Sequence, residues 1–510
     1  MEHKNQIIGE LLKSLDFGSS IAESDNLLEA ARIETSAFTD LLSDRIDLIP
    51  GTKGSGKSAL FRIVVDFLPD YLLRQRKVVV AHGVQSPGDP VFQAFNKEFS
   101  KLSEQDFVSF WCIYLVSLAH EQFVKGDRYG KYLSGASAEI QAFRLACQNA
   151  NIPEIKAQKS LYGILQWTLE ALSKWRPKVK YRNQDIGEVE VDLFGQPQIA
   201  TSVEEKKDDI ALPTYVGQVK KTLEAILGKA NLSLWLMIDR LDEIFPRRSA
   251  LERTALRGLL RAMRFFDSKC IRVKVFLRDD MLDQVVRGTE GFTALTHITA
   301  RQADTLRWKE DQILSMVVKR LFVANQKLAQ YLKIDAKRVE ASTEYREHAF
   351  YKVFPKTVYR GPKQTTTLRW IYNRCADGRG VVTPRDVIEL LSRAKQRQQD
   401  EFTANTDGSS EFVIGPGALQ YGLEELSKRK KQTYLQAEFP HLWAQIEKFV
   451  GGKTEYDEVA LQRVLGRDSK SLVDDLVSIG LLGKKTSRGN TIYSIPFLYR
   501  HGLELTQGKA

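Results

Sequence analysis

The segment Gly51-Thr52-Lys53-Gly54-Ser55-Gly56-Lys57-Ser58 constrains the fold more than any other part of this chain. It follows Ile46-Asp47-Leu48-Ile49-Pro50, a short apolar run of strand character. It precedes residues 57–68, where Leu60, Ile63, Val64 and Phe67 recur at helical spacing. Strand, glycine-rich turn and helix in this order make a phosphate-binding loop. Glycines let backbone N–H groups turn inward around an anion, and the helix that follows directs the positive end of its dipole at the same point. In the pattern G-x-x-x-x-G-K-[ST], Lys57 is expected to reach the β- and γ-oxygens of ATP, and the Ser58 hydroxyl to ligate Mg²⁺.

Further apolar runs at 78–81, 232–238 and 271–277 read as buried parallel strands, with 294–298 a weaker fifth. Strands alternating with helices around such a loop predict an α/β fold, the three-layer P-loop NTPase sandwich. At 510 residues the chain exceeds one compact core. Residues 1–45 read as a helical lead-in broken at Phe17-Gly18-Ser19-Ser20. Residues 46–300 read as the ATPase core, with a mainly helical insertion at about 95–230. Within it, 107–123, 161–175 and 216–227 have helical patterns, and 182–207 is polar and flexible or β-like. A helical lid is expected over 301–395, opening with an amphipathic helix at 309–322. Residues 396–417, rich in Gln, Asp, Ser, Gly and Thr, read as a linker.

Residues 418–510 are expected to form a small winged-helix-like domain. Helical patterns at 442–449, 457–465 and 469–479 are stopped by Gly480, and strand-like runs at 481–485 and 491–495 follow. A DNA-reading helix carries several base- and phosphate-reaching side chains, yet residues 468–475 hold one Lys against three Asp. Lys484, Lys485 and Arg488 of the wing are better suited. The run Lys428-Arg429-Lys430-Lys431 adds charge, or is a solvated helix face. A net charge of +11 is compatible with a nucleic-acid partner and does not demonstrate one.

Acidic residues stand where a phosphate loop needs them. Asp239 ends the 232–238 run and is expected to hold Mg²⁺ through water, as a Walker B aspartate does. Asp242 and Glu243 follow within one turn, and either could orient the attacking water; an acidic helix start is the alternative. Arg278 ends the next strand, where a cation would lie beside the γ-phosphate, unless it pairs with Asp279 or Asp280. Thr383 and Pro384 start a helix as N-cap and first residue. Arg385 on its first turn can point back across the nucleotide cleft, or be a surface arginine. Arg247 and Arg248, after Phe245-Pro246, read as trans-acting arginines or as a solvated basic turn.

Together these stations resemble prokaryotic P-loop ATPases between the STAND NTPases and the origin-recognition branch of AAA+. The resemblance includes Phe17-Gly18 with Ala22-Glu23-Ser24-Asp25, the loop through Ala59-Leu60, Asp239-Arg240-Leu241-Asp242-Glu243, Arg278 as a sensor-like arginine, and Thr383-Pro384-Arg385-Asp386. Many AAA+ proteins place a glutamate directly after the Walker B aspartate. Here Arg240 stands there, and Asp-x-x-Asp-Glu looks more like STAND enzymes of the NACHT kind. The resemblance implies nucleotide contacts from Gly51 to Ala59 and from Arg385, and catalytic roles for Lys57, Asp242, Glu243 and Arg278. It implies a switch in which ATP closes the lid and slow hydrolysis releases it, while cysteine usage and an N-terminus without secretory-signal shape predict a cytoplasmic protein. Such a switch would regulate a nucleic-acid-linked or antiviral defence process, through self-association or an effector protein, with DNA contacted through the C-terminal domain. The alternative is a nucleotide-stabilised oligomeric scaffold with little turnover. Cys112, Cys147, Cys270 and Cys375 lack metal-ligand spacing and read as buried thiols in a reducing compartment. No apolar run approaches the ~20 residues that cross a bilayer.

Overall fold

The computed structural model describes residues 2–83, 102–125, 129–150, 179–183, 187–191, 197–198, 212–243, 249–286, 292, 296, 299–403, 412–466, 469–487 and 490–510. The chain forms two compact units, one of residues 37–52 and 60–305, the other of residues 1–36, 53–59 and 306–510.

The first unit is α/β. Its strands are β1 (Leu48–Gly51), β2 (Val78–His82), β3 (Val179–Asn183), β4 (Gly187–Val191), β5 (Pro197–Gln198), β6 (Ser233–Ile238) and β7 (Ile271–Arg278). β1, β7, β6 and β2 lie in that order in a parallel sheet. Leu48, Ile49, Val79, Leu234, Leu236 and Val275 are wholly buried, as expected of strands covered on both faces. This is the α/β P-loop NTPase fold. The strand carrying Asp239 is not the neighbour of the loop strand: β7 lies between them. Strand order follows from crossovers that skip a place, which an apolar run does not encode.

The free edge of β1 is met by residues 301–303. Asp47 and Leu48 donate their N–H to the Arg301 carbonyl, and Ala303 donates to that of Leu48. Most of the expected fifth strand at 294–298 lies outside the described residues. Below β1, the fully buried Lys274 of β7 bonds Asp44 Oδ1 (2.6 Å), Asp47 Oδ1 (2.9 Å) and the Ile46 carbonyl (2.9 Å). It also stands 4.3 Å from the Trp235 ring centroid.

The helix Glu104–His120 begins the expected insertion, and it is part of the sheet's cover. It packs on β2, β6 and the helix Ala250–Phe266, and Trp111 Nε1 donates to the Ala255 carbonyl at 2.8 Å. Contrary to the expectation that no run approaches spanning length, the stretch Glu104–Val124 is long and apolar enough to cross a membrane. Its Phe107, Phe110, Trp111, Ile113 and Leu115 are instead buried within the unit. Leu212–Ala230 packs on Ser137–Asn149. β3, β4 and β5 pair antiparallel in the stretch expected to be β-like, while 161–175 lies outside the described residues.

In the second unit the helices Glu2–Ser14, Glu310–Phe322, Thr343–Val353, Thr367–Cys375, Pro384–Thr403 and Pro416–Lys430 share one core with the C-terminal elements. The latter are the helix Pro440–Ile446, β8 (Lys453–Asp457), the helices Glu458–Leu465 and Lys470–Ser478, β9 (Gly483–Ser487), β10 (Asn490–Ser494) and β11 (Thr506–Lys509). The sheet order is β11-β8-β10-β9, and the elements through β10 follow winged-helix order. β8 was missed, although Thr454 and Tyr456 alternate inward along it. Of the expected linker at 396–417, the described residues 396–403 and 412–417 are not an exposed linker, and 404–411 lie outside the described residues. The 384–403 helix runs through the first part of it, Gln398 Oε1 accepts from the Gly415 N–H at 2.7 Å, and Val413 and Ile414 are buried.

Candidate functional site

In the α/β unit the carboxyl ends of three strands bring the expected residues into one sheet. Gly51, the last residue of β1, pairs with Arg278, the last of β7. Asp239 follows β6 directly and is 7% exposed. Arg240 then takes φ +61°, a left-handed conformation costly for a side chain with a Cβ. It turns the chain into the short 3₁₀ helix Leu241–Glu243.

The Arg278 guanidinium is buried and held by carboxylates. It donates to both oxygens of Asp280 (2.9 and 2.8 Å) and to Asp242 Oδ2 (3.4 Å). Such a fork-to-fork pair fixes the guanidinium plane. Arg278 therefore ties the segment after β6 to the tip of β7, and one oxygen of Asp242 faces that cation. The Glu243 side chain and residues 247 and 248 lie outside the described residues.

In the second unit the loop tip is enclosed by side chains from distant parts of the chain. Gly54 and Gly56 take φ +84° and +96°, the region only glycine enters freely. A Cβ on Gly54 would lie 3.1 Å from Arg385 Cβ and 3.3 Å from Thr383 Oγ1. Trp308 Nε1 donates to the Ser55 carbonyl at 2.8 Å, and Tyr372 holds the Trp308 carbonyl at 3.0 Å. Lys53 forms an ion pair with Glu438, whose side chain is 5% exposed. The Ser55 hydroxyl is buried with no hydrogen-bond partner. Lys57, Ser58 and Ala59 begin the helix Lys57–Arg62 and are half-buried. Thr52 is buried. Sequence reasoning missed Trp308 and Glu438, since a lone Trp before a helix and a lone Glu carry no pattern.

Thr383 caps the 384–403 helix by accepting from the Asp386 N–H, as its sequence predicts. Arg385 lies along Gly54, and its Nε donates to the Ser20 carbonyl at 3.1 Å. The Phe17–Asp25 segment is locked from the other side. Asp25 and Arg320, 3% and 6% exposed, form a two-pronged ion pair, and Arg320 also donates to the Phe17 carbonyl. A Cβ on Gly18 would overlap that guanidinium at 2.1 Å.

Three cations of the basic run at 428–431 pair with carboxylates of the same unit, and Lys428 and Arg429 stay exposed. Lys428 pairs with Glu424 and Glu425, Arg429 with Glu389, and Lys430 with the buried Asp386. Lys484 and Lys485 on the wing are exposed, whereas residue 488 lies outside the described residues. Among the described residues no group of three His, Cys, Asp or Glu is placed to hold a metal alone.

No protein-family model matches the chain, nor does any curated protein. Solved structures similar to it include the Walker-type ATPase of Pyrococcus abyssi, at 11% identity over 96% of this chain and 98% of that one, with TM-score 0.36. The ORC1 protein of Aeropyrum pernix in complex with DNA is 11% identical over 95% and 96%, at 0.29. The ORC2 protein of the same organism is 11% identical over 92% of each chain, at 0.29. At superpositions this loose, the fold assignment rests on the strand order and register given above.

Proposed function

We propose that this chain binds ATP with Mg²⁺ and hydrolyses it, using the nucleotide to set the state of its helical and winged-helix elements. The observation that carries the proposal is a G-x-x-x-x-G-K-S loop leaving the carboxyl end of β1, with Arg278 paired opposite Gly51 and Asp239 ending β6 of the same sheet. The loop suits a triphosphate by its own features: two glycines at positive φ and a buried, unpartnered Ser55 hydroxyl. Lys57 would bind the β- and γ-oxygens, and Ser58 and Asp239 would hold the metal jointly with the phosphates, as Mg²⁺ sites commonly require. Bound Mg²⁺ supplies charge neutralisation at the phosphates. Glu243 or Asp242 would orient the attacking water, and the Arg278 contact of Asp242 favours Glu243.

The switch reading draws on the loop tip. Lys53, Gly54 and Ser55 touch Glu438, Arg385 and Trp308, so a change of loop conformation strains contacts with lid and C-terminal residues alike. We assign the switch to a nucleic-acid-linked or defence process acting through a partner protein. A second reading, a nucleotide-fixed oligomeric scaffold with little turnover, is favoured by the bidentate hold of Asp280 on Arg278. Phosphate release separates the two. The switch predicts that Glu243→Gln and Lys57→Ala each lose about 100-fold or more of turnover. Wild-type release no faster than that of both variants leaves the scaffold.

A further inference from the structure

Away from the phosphate loop, a cluster of cations gathers around exposed aromatic rings on the lid side of the second unit. The segment 355–366 contains Lys356, Arg360 and Lys363, and no acidic residue. All three are exposed, and a bridge between Thr357 and Thr366 holds the segment's ends together. Tyr359 from this segment is 40% exposed, and its ring centroid lies 5.9 Å from the Arg374 guanidinium. Arg374 also stands 4.8 Å from Trp370 and 4.3 Å from Phe497, and Arg500 reaches the same Phe497 ring at 3.9 Å. Phe497 is itself 37% exposed.

These contacts brace the 367–375 helix against the helix Phe497–Arg500. A brace alone does not require what accompanies it. Two guanidiniums share one ring, yet neither forms an ion pair among the described residues. Arg374 Nε and Trp370 Nε1 are buried donors with no acceptor. Burial lowers the pKa of Arg500; Glu455 opposes this, and the charge of Arg374 adds to it. Arg500 Nε donates to the Ile495 carbonyl at 2.9 Å and Arg374 bonds the Tyr359 hydroxyl, yet the group keeps its positive charge, and the Tyr359 and Phe497 rings are partly open.

We propose that this surface, formed by Lys356, Tyr359, Arg360, Lys363, Arg374 and Arg500, binds single-stranded nucleic acid. Cations spaced along an acid-free segment suit successive phosphates. The partly exposed Tyr359 ring offers a stacking platform for an unpaired base. An acidic peptide would use the charges and leave the rings in water. Duplex DNA would use the charges and keep its bases stacked. The surface is separate from the wing lysines and from the 428–431 run, three of whose cations pair with carboxylates of the same unit.

The test is fluorescence anisotropy of a labelled oligothymidine of about 20 nucleotides, across a salt series and without ATP. Melting curves of every variant verify folding. Wild type should bind at low salt. The double variant Arg360→Ala/Lys363→Ala should reduce the log–log salt slope by about 1.4 and weaken binding roughly tenfold at moderate salt. Tyr359→Ala should weaken binding about tenfold with the slope unchanged. Lys57→Ala should bind like wild type, which keeps this proposal separable from the nucleotide reading. The proposal is overturned by absence of binding at the lowest salt, or by loss on Lys484→Ala/Lys485→Ala with the loop variants unaffected. It is equally overturned if polyglutamate, or a duplex of the same length, competes as well as the unlabelled single strand.

Discussion

At Gly54 two independent requirements meet on one residue. Its φ of +84° disfavours any Cβ, and the space a Cβ would take is bounded by Arg385 and Thr383. Gly54→Ala should therefore destabilise the protein by about 1–2 kcal/mol and weaken nucleotide binding, read by thermal melting and by equilibrium titration with ATP. Asp25 shows the same economy with charge. Its carboxylate is the buried partner of Arg320, so Asp25→Ala strands a cation in the core. A loss of about 3–5 kcal/mol in chemical denaturation is expected; a loss below about 1 kcal/mol would mean that the pair is hydrated like a surface bridge. The cysteines offer a third check. Burial pushes the thiols of Cys112 and Cys147 up to about 12 and raises that of Cys375, and a buried protonated thiol is a poor nucleophile. Native alkylation near neutral pH should modify Cys270, the half-buried one, and mass spectrometry should find the other three unmodified.

At the scale of the element, β1 is placed from both ends. Above it the glycines turn the chain; below it Lys274, Asp44, Asp47 and Arg301 join β7, the segment before β1 and the strip along its edge. Lys274→Ala should cost about 3 kcal/mol, the lower end for a broken buried pair, because Arg301 still faces Asp47. Urea denaturation measures this. A neutral result would mean that water replaces the ammonium. The strands themselves were legible, because apolar runs bounded by turn residues leave few alternatives. Their order was not. β7 takes the place beside β1 through pairing between residues over 200 positions apart, and this decides that Arg278, rather than Asp239, lies opposite Gly51.

At the scale of the molecule, the C-terminal elements are part of the lid's core. Gly422 packs so closely on the 384–403 helix that a Cβ would lie 2.4 Å from the Leu390 carbonyl oxygen, and residues from Leu12 to Leu498 share that core. A chain ending at residue 417 would expose the face where Leu390 and Leu391 meet Leu419 and Leu423. It should lose cooperative unfolding of the second unit and aggregate, as seen by calorimetry and size-exclusion chromatography. A soluble truncation with unchanged melting would restore the picture of a linked, independent domain. Composition misled here: a polar, Gln- and Ser-rich stretch reads as linker, but Gln398 is buried because its amide oxygen satisfies the Gly415 N–H.

By itself the sequence determined the phosphate loop, the strand after which it comes, the Thr383 cap, and the helices and closing hairpin of the winged-helix elements without β8. Each is written in neighbouring residues, through glycine conformations, capping chemistry and apolar period. Only the tertiary structure decided that Arg278 is held by Asp280 and Asp242, that Trp308 and Glu438 close on the loop tip, and that Lys430 pairs with the buried Asp386. Those outcomes depend on which side chains meet across hundreds of residues. A charge or a ring in a sequence records its own chemistry and not that of its partner.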